Sequence, residues 1–213
     1  MTLVAFGALL LLPAGSFYFW QAWLLLGLMA LFWTYFLIDL LRRDPQLVER
    51  RLQHQEPEPE HQRVQKLFTL ILPVGLIVTG LDFRFAWTRS LVTFPLWLSI
   101  LGQLMVVAAY TFVFWVMRTN TFAGSTIQVE AEQSVISSGP YAIVRHPMYL
   151  GMLAMALGIP IALQSCVALP LFALFLPVFV YRIVHEERTL RSKLAGYSDY
   201  CDRVRYRLIP LLW

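Results

Sequence analysis

Long apolar runs separated by short polar segments dominate this 213-residue sequence. A helix needs roughly 20 mostly apolar residues to cross a membrane, so each run is a candidate spanning helix. Hydrophobic residues make up 58% of the chain and charged residues 14%, which leaves too little polar surface for an ordinary soluble domain. The sequence therefore predicts an all-α, polytopic integral membrane helical bundle. The candidate runs fall at about 2–15, 18–41, 65–81, 91–117, 148–164 and 166–184.

The first run decides whether six or five helices cross the membrane. Pro13, Gly15 and Ser16 cut this run short, so it is either a short span or a segment lying in the interface, which would leave five spans. A cleaved secretory signal is a further interpretation, but no basic segment precedes the run. The last two runs are separated by only a few residues around Gln164 and Cys166, which predicts a tight helical hairpin near the far membrane face.

The basic residues are distributed asymmetrically about these runs. If six spans start from the cytoplasm, the polar loop 42–66, the segment 118–145 and the tail from residue 182 onward all lie on the cytoplasmic side, and only Arg84 and Arg89 fall outside. Since Lys and Arg of short loops favour the cytoplasm, this predicts both termini inside, whereas five spans would put the N-terminus outside. Topology also accounts for the net charge of +4, so no nucleic-acid partner is expected.

Other classes of site find no support in the sequence. Cys166 lies at the predicted hairpin turn and Cys201 in the basic tail, on opposite membrane faces, so both are expected to be free thiols. The four histidines are scattered and no paired Cys or His spacing occurs, so no metal site is expected. Without a glycine-rich phosphate loop or a Gly-x-Gly-x-x-Gly pattern, a soluble nucleotide-binding domain is not indicated either.

The segment 119–144 is too polar to span and is expected to lie over the cytoplasmic opening of the bundle. Alternation at 126–130 indicates a short extended piece. Pro147 disfavours helix at the residue before it and suits the first turn of the next span, which predicts His146 at a helix entrance, where amide groups favour anions. His146 is therefore a candidate for a hydrogen bond in a cofactor pocket. The alternative is that Arg145 and His146 anchor the helix at the headgroup layer.

A second polar cluster stands where the last run leaves the membrane. It consists of Arg182, His185, Glu186 and Glu187. Its first and third members are four residues apart and share one helical face. The hairpin is expected to bring this cluster beside His146 and Tyr149, so that both clusters face one pocket. The alternative is a solvated continuation of the helix, paired with Arg188 or Arg191.

Together these residues form a joint pattern. It runs Gly139-Pro140-Tyr141, Arg145-His146-Pro147-Met148-Tyr149, an apolar hairpin, Glu186-Glu187 and a basic, tyrosine-containing tail. Over residues 118–213 the pattern resembles the isoprenylcysteine carboxyl methyltransferase family and its relatives among the phospholipid methyltransferases. The resemblance implies a methyltransferase core at 118–213 with its helical hairpin at 148–184, preceded by N-terminal transmembrane helices at 1–117.

The resemblance also implies S-adenosyl-L-methionine as the cofactor, bound at the cytoplasmic face without a soluble methyltransferase domain. The implied cofactor contacts are Gln128, Gln133, Ser134, Val135, Ile136, Tyr141, His146, Pro147, Met148, Tyr149, Glu186 and Glu187. The family's closing acid corresponds to Glu186, with Glu187 as a one-residue alternative, and its substrate-contacting arginine to Arg182, so Glu186 and Arg182 are the implied catalytic residues. Eukaryotic members carry a more acidic stretch where this tail has Gly196-Tyr197-Ser198-Asp199-Tyr200.

The implied reaction is methylation of a lipophilic acceptor that enters from the bilayer, with carboxyl O-methylation of an isoprenylcysteine-type substrate as the leading hypothesis. The cofactor motif does not fix the acceptor, so N-methylation of a phospholipid amine headgroup and S-methylation of a small thiol stay open. A non-enzyme interpretation is a membrane scaffold or transporter whose charged clusters are structural. Membrane lipids are the expected surroundings in every case.

Overall fold

The computed structural model describes residues 3–43, 59–120 and 134–213. In these ranges every regular element is helical, which confirms the predicted all-α bundle. The elements are α1 (Leu3–Ala14), α2 (Trp20–Arg43), α3 (Pro59–Phe85), α4 (Trp87–Leu91), α5 (Leu96–Thr119), a 3₁₀ helix (Gly139–Ala142), α6 (Pro147–Ala162), α7 (Leu169–Ala173), α8 (Phe175–Lys193) and α9 (Tyr197–Arg203).

Three helical stretches in the described ranges are long and apolar enough to cross a membrane. They are Trp20–Arg42, Leu96–Thr119 and Leu169–Lys193, the last of which combines α7 and α8. The helices α1 and α6 are apolar but shorter. These lengths support an integral membrane protein, while the count of six crossings stays a prediction. The predicted polar loop 42–66 lies largely outside the described residues, with its two ends inside α2 and α3.

The first apolar run is part of the bundle, since α1 packs closely along α3. With 12 residues, α1 rises about 18 Å, which is less than the roughly 30 Å of the hydrocarbon core. Phe6 and Leu10 are buried. A Cβ atom on Gly80 would lie only 2.4 Å from the Leu10 carbonyl oxygen, so glycine is required for this approach. The helix then ends where the sequence predicts, at Gly15, whose φ of 60° is left-handed.

The most extensive helix contact is between α5 and α6, and small residues line it. A Cβ atom on Gly102 would lie 2.3 Å from the Ala162 amide nitrogen, so the two backbones nearly touch. Beside this contact the buried Ser99 hydroxyl donates to the Ala162 carbonyl at 2.6 Å. The hydrogen bond satisfies a carbonyl at the end of α6, where helices leave such groups unpaired. The contact fixes the position of α6 in the bundle.

The predicted hairpin is present, and a buried carboxylate ties down its turn. α6 leads through Leu163–Ala168 into α7 and α8. Asp82, at the end of α3, accepts from the Thr88 amide and hydroxyl at 2.7 and 2.6 Å and from the Ser165 hydroxyl. Thr88 in turn accepts from the Cys166 amide at 2.9 Å. Because three segments meet here, the turn is held rigidly and α8 returns alongside α6 to the end where α6 began.

Candidate functional site

The two polar clusters predicted from the sequence meet where α6 begins and α8 ends. His146 is the N-cap residue of α6 and Pro147 is its first residue, which confirms the predicted helix entrance. His146 is buried, with Nδ1 4.0 Å from a Glu186 carboxylate oxygen and Nε2 3.4 Å from Glu187 Oε1. At 3.4 Å the Nε2 contact is longer than an ordinary hydrogen bond. The imidazole therefore lies between two carboxylates, with Nε2 facing Glu187.

The Tyr149 hydroxyl lies at the centre of the site and links two charged groups. It donates to Glu186 Oε2 at 2.9 Å and accepts from Arg182 Nε at 3.2 Å. Tyr149 is on the first turn of α6, while Arg182 and Glu186 lie one turn apart on α8. The ring of Tyr149 also packs against Phe179 at a centroid distance of 5.3 Å. The hairpin thus brings together three of the residues named from the sequence.

The two adjacent glutamates have different surroundings. Glu187 is 4% exposed and accepts from Arg145 Nε at 2.6 Å and from Arg207 Nε at 3.0 Å, so both of its oxygens are engaged. The Glu186 side chain is 27% exposed and bonds through one oxygen to Tyr149. Neighbouring helix positions differ by about 100°, so the two carboxylates point to different sides of α8. Glu186 is the one that retains capacity to accept hydrogen bonds.

Arg145 joins the start of α6 to the carboxy-terminal tail. Besides Glu187, it donates through one terminal nitrogen to the carbonyls of Val204 and Arg205 at 2.7 and 2.9 Å. Burial alone would lower the pKa of Arg145, but the hydrogen bond to Glu187 and the negative charge of that group raise it above its ordinary value. Arg145 is therefore a buried cation whose contacts join the start of α6 to α8 and to the tail.

Tyr141 lies on the same side as Glu186 and is positioned by the tail. It sits in the 3₁₀ helix that begins at Gly139, whose φ of 58° favours glycine. The Tyr200 hydroxyl donates to the Tyr141 carbonyl at 2.7 Å. Burial raises the pKa of the Tyr141 phenol to about 12, partly offset by a hydrogen bond with Asn120 and reinforced by the Glu186 carboxylate. The phenol therefore stays protonated and can donate near the site.

The remaining predicted residues are spread around this centre. Pro147 is buried and Met148 half-buried at the start of α6. Ser134 is exposed, whereas Val135 and Ile136 are half-buried, and Val135 packs against a tail cluster that includes Tyr197 and Tyr200. Gln128, Gln133 and the extended piece predicted at 126–130 lie outside the described residues. No group of three or more His, Cys, Asp or Glu that could hold a metal occurs in the described part of the chain.

Sequence reasoning missed Arg207, which completes the Glu187 ion pair. It stands in an irregular segment that was interpreted only as a basic, cytoplasmic tail. A signal was present, because Val204 and Leu208 are apolar and alternate with Arg205 and Arg207. Such alternation is typical of an extended segment that pairs with another part of the chain.

Two comparisons with known proteins match part of the chain. Residues 97–195 match the phospholipid methyltransferase (PEMT) family model. The chain is also 34% identical over 91 residues to Delta(14)-sterol reductase TM7SF2 of Mus musculus, covering 41% of this chain and 22% of that protein. The chain thus spans about a fifth of the length of this relative. The family match runs from α5 to the start of the tail and includes Tyr149, Arg182 and Glu186. It supports a membrane methyltransferase and leaves the acceptor open.

Proposed function

We propose that this chain is a membrane-embedded methyltransferase that uses S-adenosylmethionine and acts on a lipophilic acceptor, with an isoprenylcysteine-type carboxylate as that acceptor. The observation that carries the proposal is the hydrogen-bonded series from Arg182 through Tyr149 to Glu186. It places a fixed cation, a phenol and a carboxylate at one end of the hairpin, inside the segment that matches a methyltransferase family. The proposed methyltransferase core is 118–213, and α5 packs against α6.

The residues around α6 fit this cofactor by their hydrogen-bonding capacity. Glu186 would accept from the amino or hydroxyl groups of the cofactor, and the first amides of α6 would meet its carboxylate. The buried His146 ring lies against Glu186 and Glu187 and would help to orient these carboxylates. Tyr141 would close the pocket on the side of the 3₁₀ helix. When bound, the methyl sulfonium supplies an activated methyl group.

Arg182 suits a carboxylate acceptor. It is buried, and its guanidinium is held by the Tyr149 hydroxyl, so it can form a charge-assisted hydrogen bond without reorganising. Transfer to a carboxylate forms one oxygen–carbon bond, breaks one carbon–sulfur bond and releases no proton. The site therefore needs alignment and exclusion of water rather than a general base.

An amine or a thiol acceptor would have different requirements. Methylation of either group releases a proton, so the site would need a base within hydrogen-bond reach. Glu186 is the candidate base, because Glu187 is fully engaged by two arginines. His185 is less suited, since its Nδ1 lies 2.9 Å from the Tyr181 carbonyl and its ring is stacked on Tyr181. The match to the phospholipid methyltransferase family supports a lipid amine headgroup as the second candidate acceptor.

The proposed orientation puts the site and both termini at the cytoplasmic face. The polar cofactor would then enter from the cytoplasm, and the lipophilic acceptor would enter sideways from the bilayer. The hairpin turn with Asp82 and Ser165 would lie at the opposite face. This arrangement follows from the distribution of Lys and Arg in the short loops.

Calorimetry with S-adenosylhomocysteine on the detergent-purified chain tests the cofactor part of the proposal. We expect saturable binding by the wild type and at least tenfold weaker binding by Glu186→Gln, which keeps the size of the side chain but removes its charge. Asp202→Asn is the matched control, because Asp202 is an exposed acid in α9, and it should bind like the wild type. Absence of saturable binding by the wild type would leave the scaffold or transporter interpretation.

The acceptor class is tested with labelled S-adenosylmethionine and extracted membranes. A product whose label is released by mild base is a methyl ester and supports a carboxylate acceptor. A base-stable label on a lipid amine or a volatile labelled thioether would replace the carboxylate with an amine or a thiol.

The likeness to a sterol reductase motivates a second candidate, reduction of a lipophilic substrate. A reductase needs a hydride or electron donor in place of a methyl donor. The same preparation is therefore titrated with reduced nicotinamide dinucleotides. Binding of these cofactors, with no binding of S-adenosylhomocysteine, would favour the reductase.

A further inference from the structure

The segment Val204–Arg207 is paired with the turn that leads into α6. The Arg145 amide donates to the Tyr206 carbonyl at 2.9 Å, and the His146 amide donates to the Arg207 carbonyl at 2.9 Å. These two hydrogen bonds fix the backbone of both Arg145 and His146. The position of the His146 ring at the entrance of α6 therefore depends on a segment about 60 residues further along the chain.

Side chains reinforce this pairing through Glu187. Arg145 binds both the tail carbonyls and Glu187, while Arg207 reaches Glu187 from the tail. The Glu187 and Arg145 side chains are 4% and 5% exposed, and Arg207 is 35% exposed. A carboxylate this deeply buried is stable only with its cations in place, so removal of either arginine leaves part of its charge uncompensated. These contacts among Arg145, Glu187 and Arg207 connect α8, the turn before α6 and the tail.

Arg207 itself is held by the residues that follow it. Its guanidinium lies over the Trp213 ring, 5.2 Å from the ring centroid. The amides of Arg207, Leu208 and Ile209 all point at the Trp213 carbonyl oxygen, at 3.0, 3.0 and 3.2 Å. Leu208 is buried in the main core. The turn formed with Trp213 therefore directs the side chain of Arg207 towards Glu187.

We infer that Arg207 is a positioning residue for the cofactor pocket: through Glu187 and the paired backbone it sets the placement of His146 and of the first turn of α6. The inference rests on the proposed function for its kinetic consequences. Arg207 lies beyond residues 97–195, so the family match assigns it no part. It touches neither Tyr149 nor Glu186 in any hydrogen bond of the described residues, so its effect is transmitted rather than direct.

The test compares Arg207→Gln, Arg207→Lys and the control Arg203→Gln, in which an exposed arginine at the end of α9 is changed. For Arg207→Gln we expect about tenfold weaker binding of S-adenosylhomocysteine and a raised KM for S-adenosylmethionine, with little change in the acceptor KM. Arg207→Lys keeps a cation and should recover part of the affinity. Arg203→Gln should match the wild type.

A purely structural role gives a different result. If Arg207→Gln only lowers the yield of folded protein, and its folded fraction binds S-adenosylhomocysteine as the wild type does, the inference is overturned. Hydrogen exchange at residues 145–149 separates this from failure of the proposed function. If the wild type binds no S-adenosylhomocysteine, the proposed function fails, while faster exchange in Arg207→Gln but not in Arg203→Gln still supports positioning. Unchanged exchange in Arg207→Gln contradicts it.

Discussion

The Tyr149 hydroxyl is the residue-scale link between the two helices of the hairpin. It accepts from Arg182 and donates to Glu186, so it sets the separation of a cation and a carboxylate. The two charged groups lie one helical turn apart on α8. Because the phenol bonds to both, it orients them relative to the first turn of α6.

This role predicts the effect of Tyr149→Phe. The substitution keeps the ring contact with Phe179 but removes both hydrogen bonds, each with a charged partner and worth about 1.5–3 kcal/mol. We expect lower thermal stability, because both hydrogen bonds are within the protein, and about tenfold weaker binding of S-adenosylhomocysteine by calorimetry, because Arg182 and Glu186 lose their common partner. Tyr18→Phe is the matched control, because Tyr18 is 91% exposed and lies before α2. Equal affinities of Tyr149→Phe and the wild type would remove Tyr149 from the site.

At the residue scale, the sequence was sufficient for groups whose chemistry stands out locally. His146 before a proline and Arg182 four residues from Glu186 could be placed by helix geometry alone. The sequence alone could not predict the role of Arg207 or distinguish Glu186 from Glu187. Both depend on which distant part of the chain packs against the buried side of α8, and no local sequence pattern indicates that. Asp82 was missed for the same reason, since its partners come from two other segments.

At the element scale, some helices begin or end at different residues from the apolar runs predicted by hydropathy. The run 166–184 becomes the short α7 followed by α8, which continues to Lys193. The extension 185–193 is rich in Glu, Arg and Lys, which favour helix, so the helix continues beyond its apolar part. The run 91–117 begins as a helix only at Leu96, after Pro95. Hydropathy predicts which segments are buried in lipid, whereas caps and propensities decide where helices stop.

The close contact of α5 with α6 predicts a large effect for Gly102→Ala. The added methyl group would lie 2.3 Å from the Ala162 nitrogen, which is backbone and cannot move aside without shifting α6. We expect a loss of about 1–3 kcal/mol in stability and weaker cofactor binding, because α6 carries Tyr149. Thermal unfolding in detergent measures the first effect and calorimetry the second.

Gly27→Ala provides the control within the same bundle. Gly27 lies in the middle of α2, and nothing stands within 4 Å of its Cβ position. Alanine is the better helix former by about 1 kcal/mol, so this variant should be as stable as the wild type or slightly more stable. If both variants behaved alike, the tight contact between α5 and α6 would not be what holds α6.

At the scale of the whole molecule, the polar groups separate to the two ends of the hairpin. Asp82, Thr88 and Ser165 form a hydrogen-bonded cluster at the turn, whereas the candidate site and the tail lie at the start of α6. α6 has 16 residues and rises about 24 Å, so the two clusters are well separated along its axis, and the proposed orientation puts them at opposite faces of the membrane. The turn is locked by a carboxylate with satisfied partners. The other end keeps polar groups open to ligands, which is where a cofactor from the cytoplasm is expected.

The proposed orientation can be measured with the cysteines. Cys166 is exposed at the turn, and Cys201 is buried in the tail. A Cys201→Ala variant in sealed, right-side-out vesicles should react with a membrane-impermeant maleimide at Cys166. Partial burial and the Asp82 carboxylate raise the pKa of Cys166, so the thiolate fraction and the labelling rate should increase at higher pH than they do for an ordinary exposed thiol. In a variant without both cysteines, Ser198→Cys on the exposed face of α9 should react only after the membrane is permeabilised. Reaction of Ser198→Cys in intact vesicles, together with no reaction of Cys166 in the Cys201→Ala variant, would invert the topology and put the candidate site on the outer face.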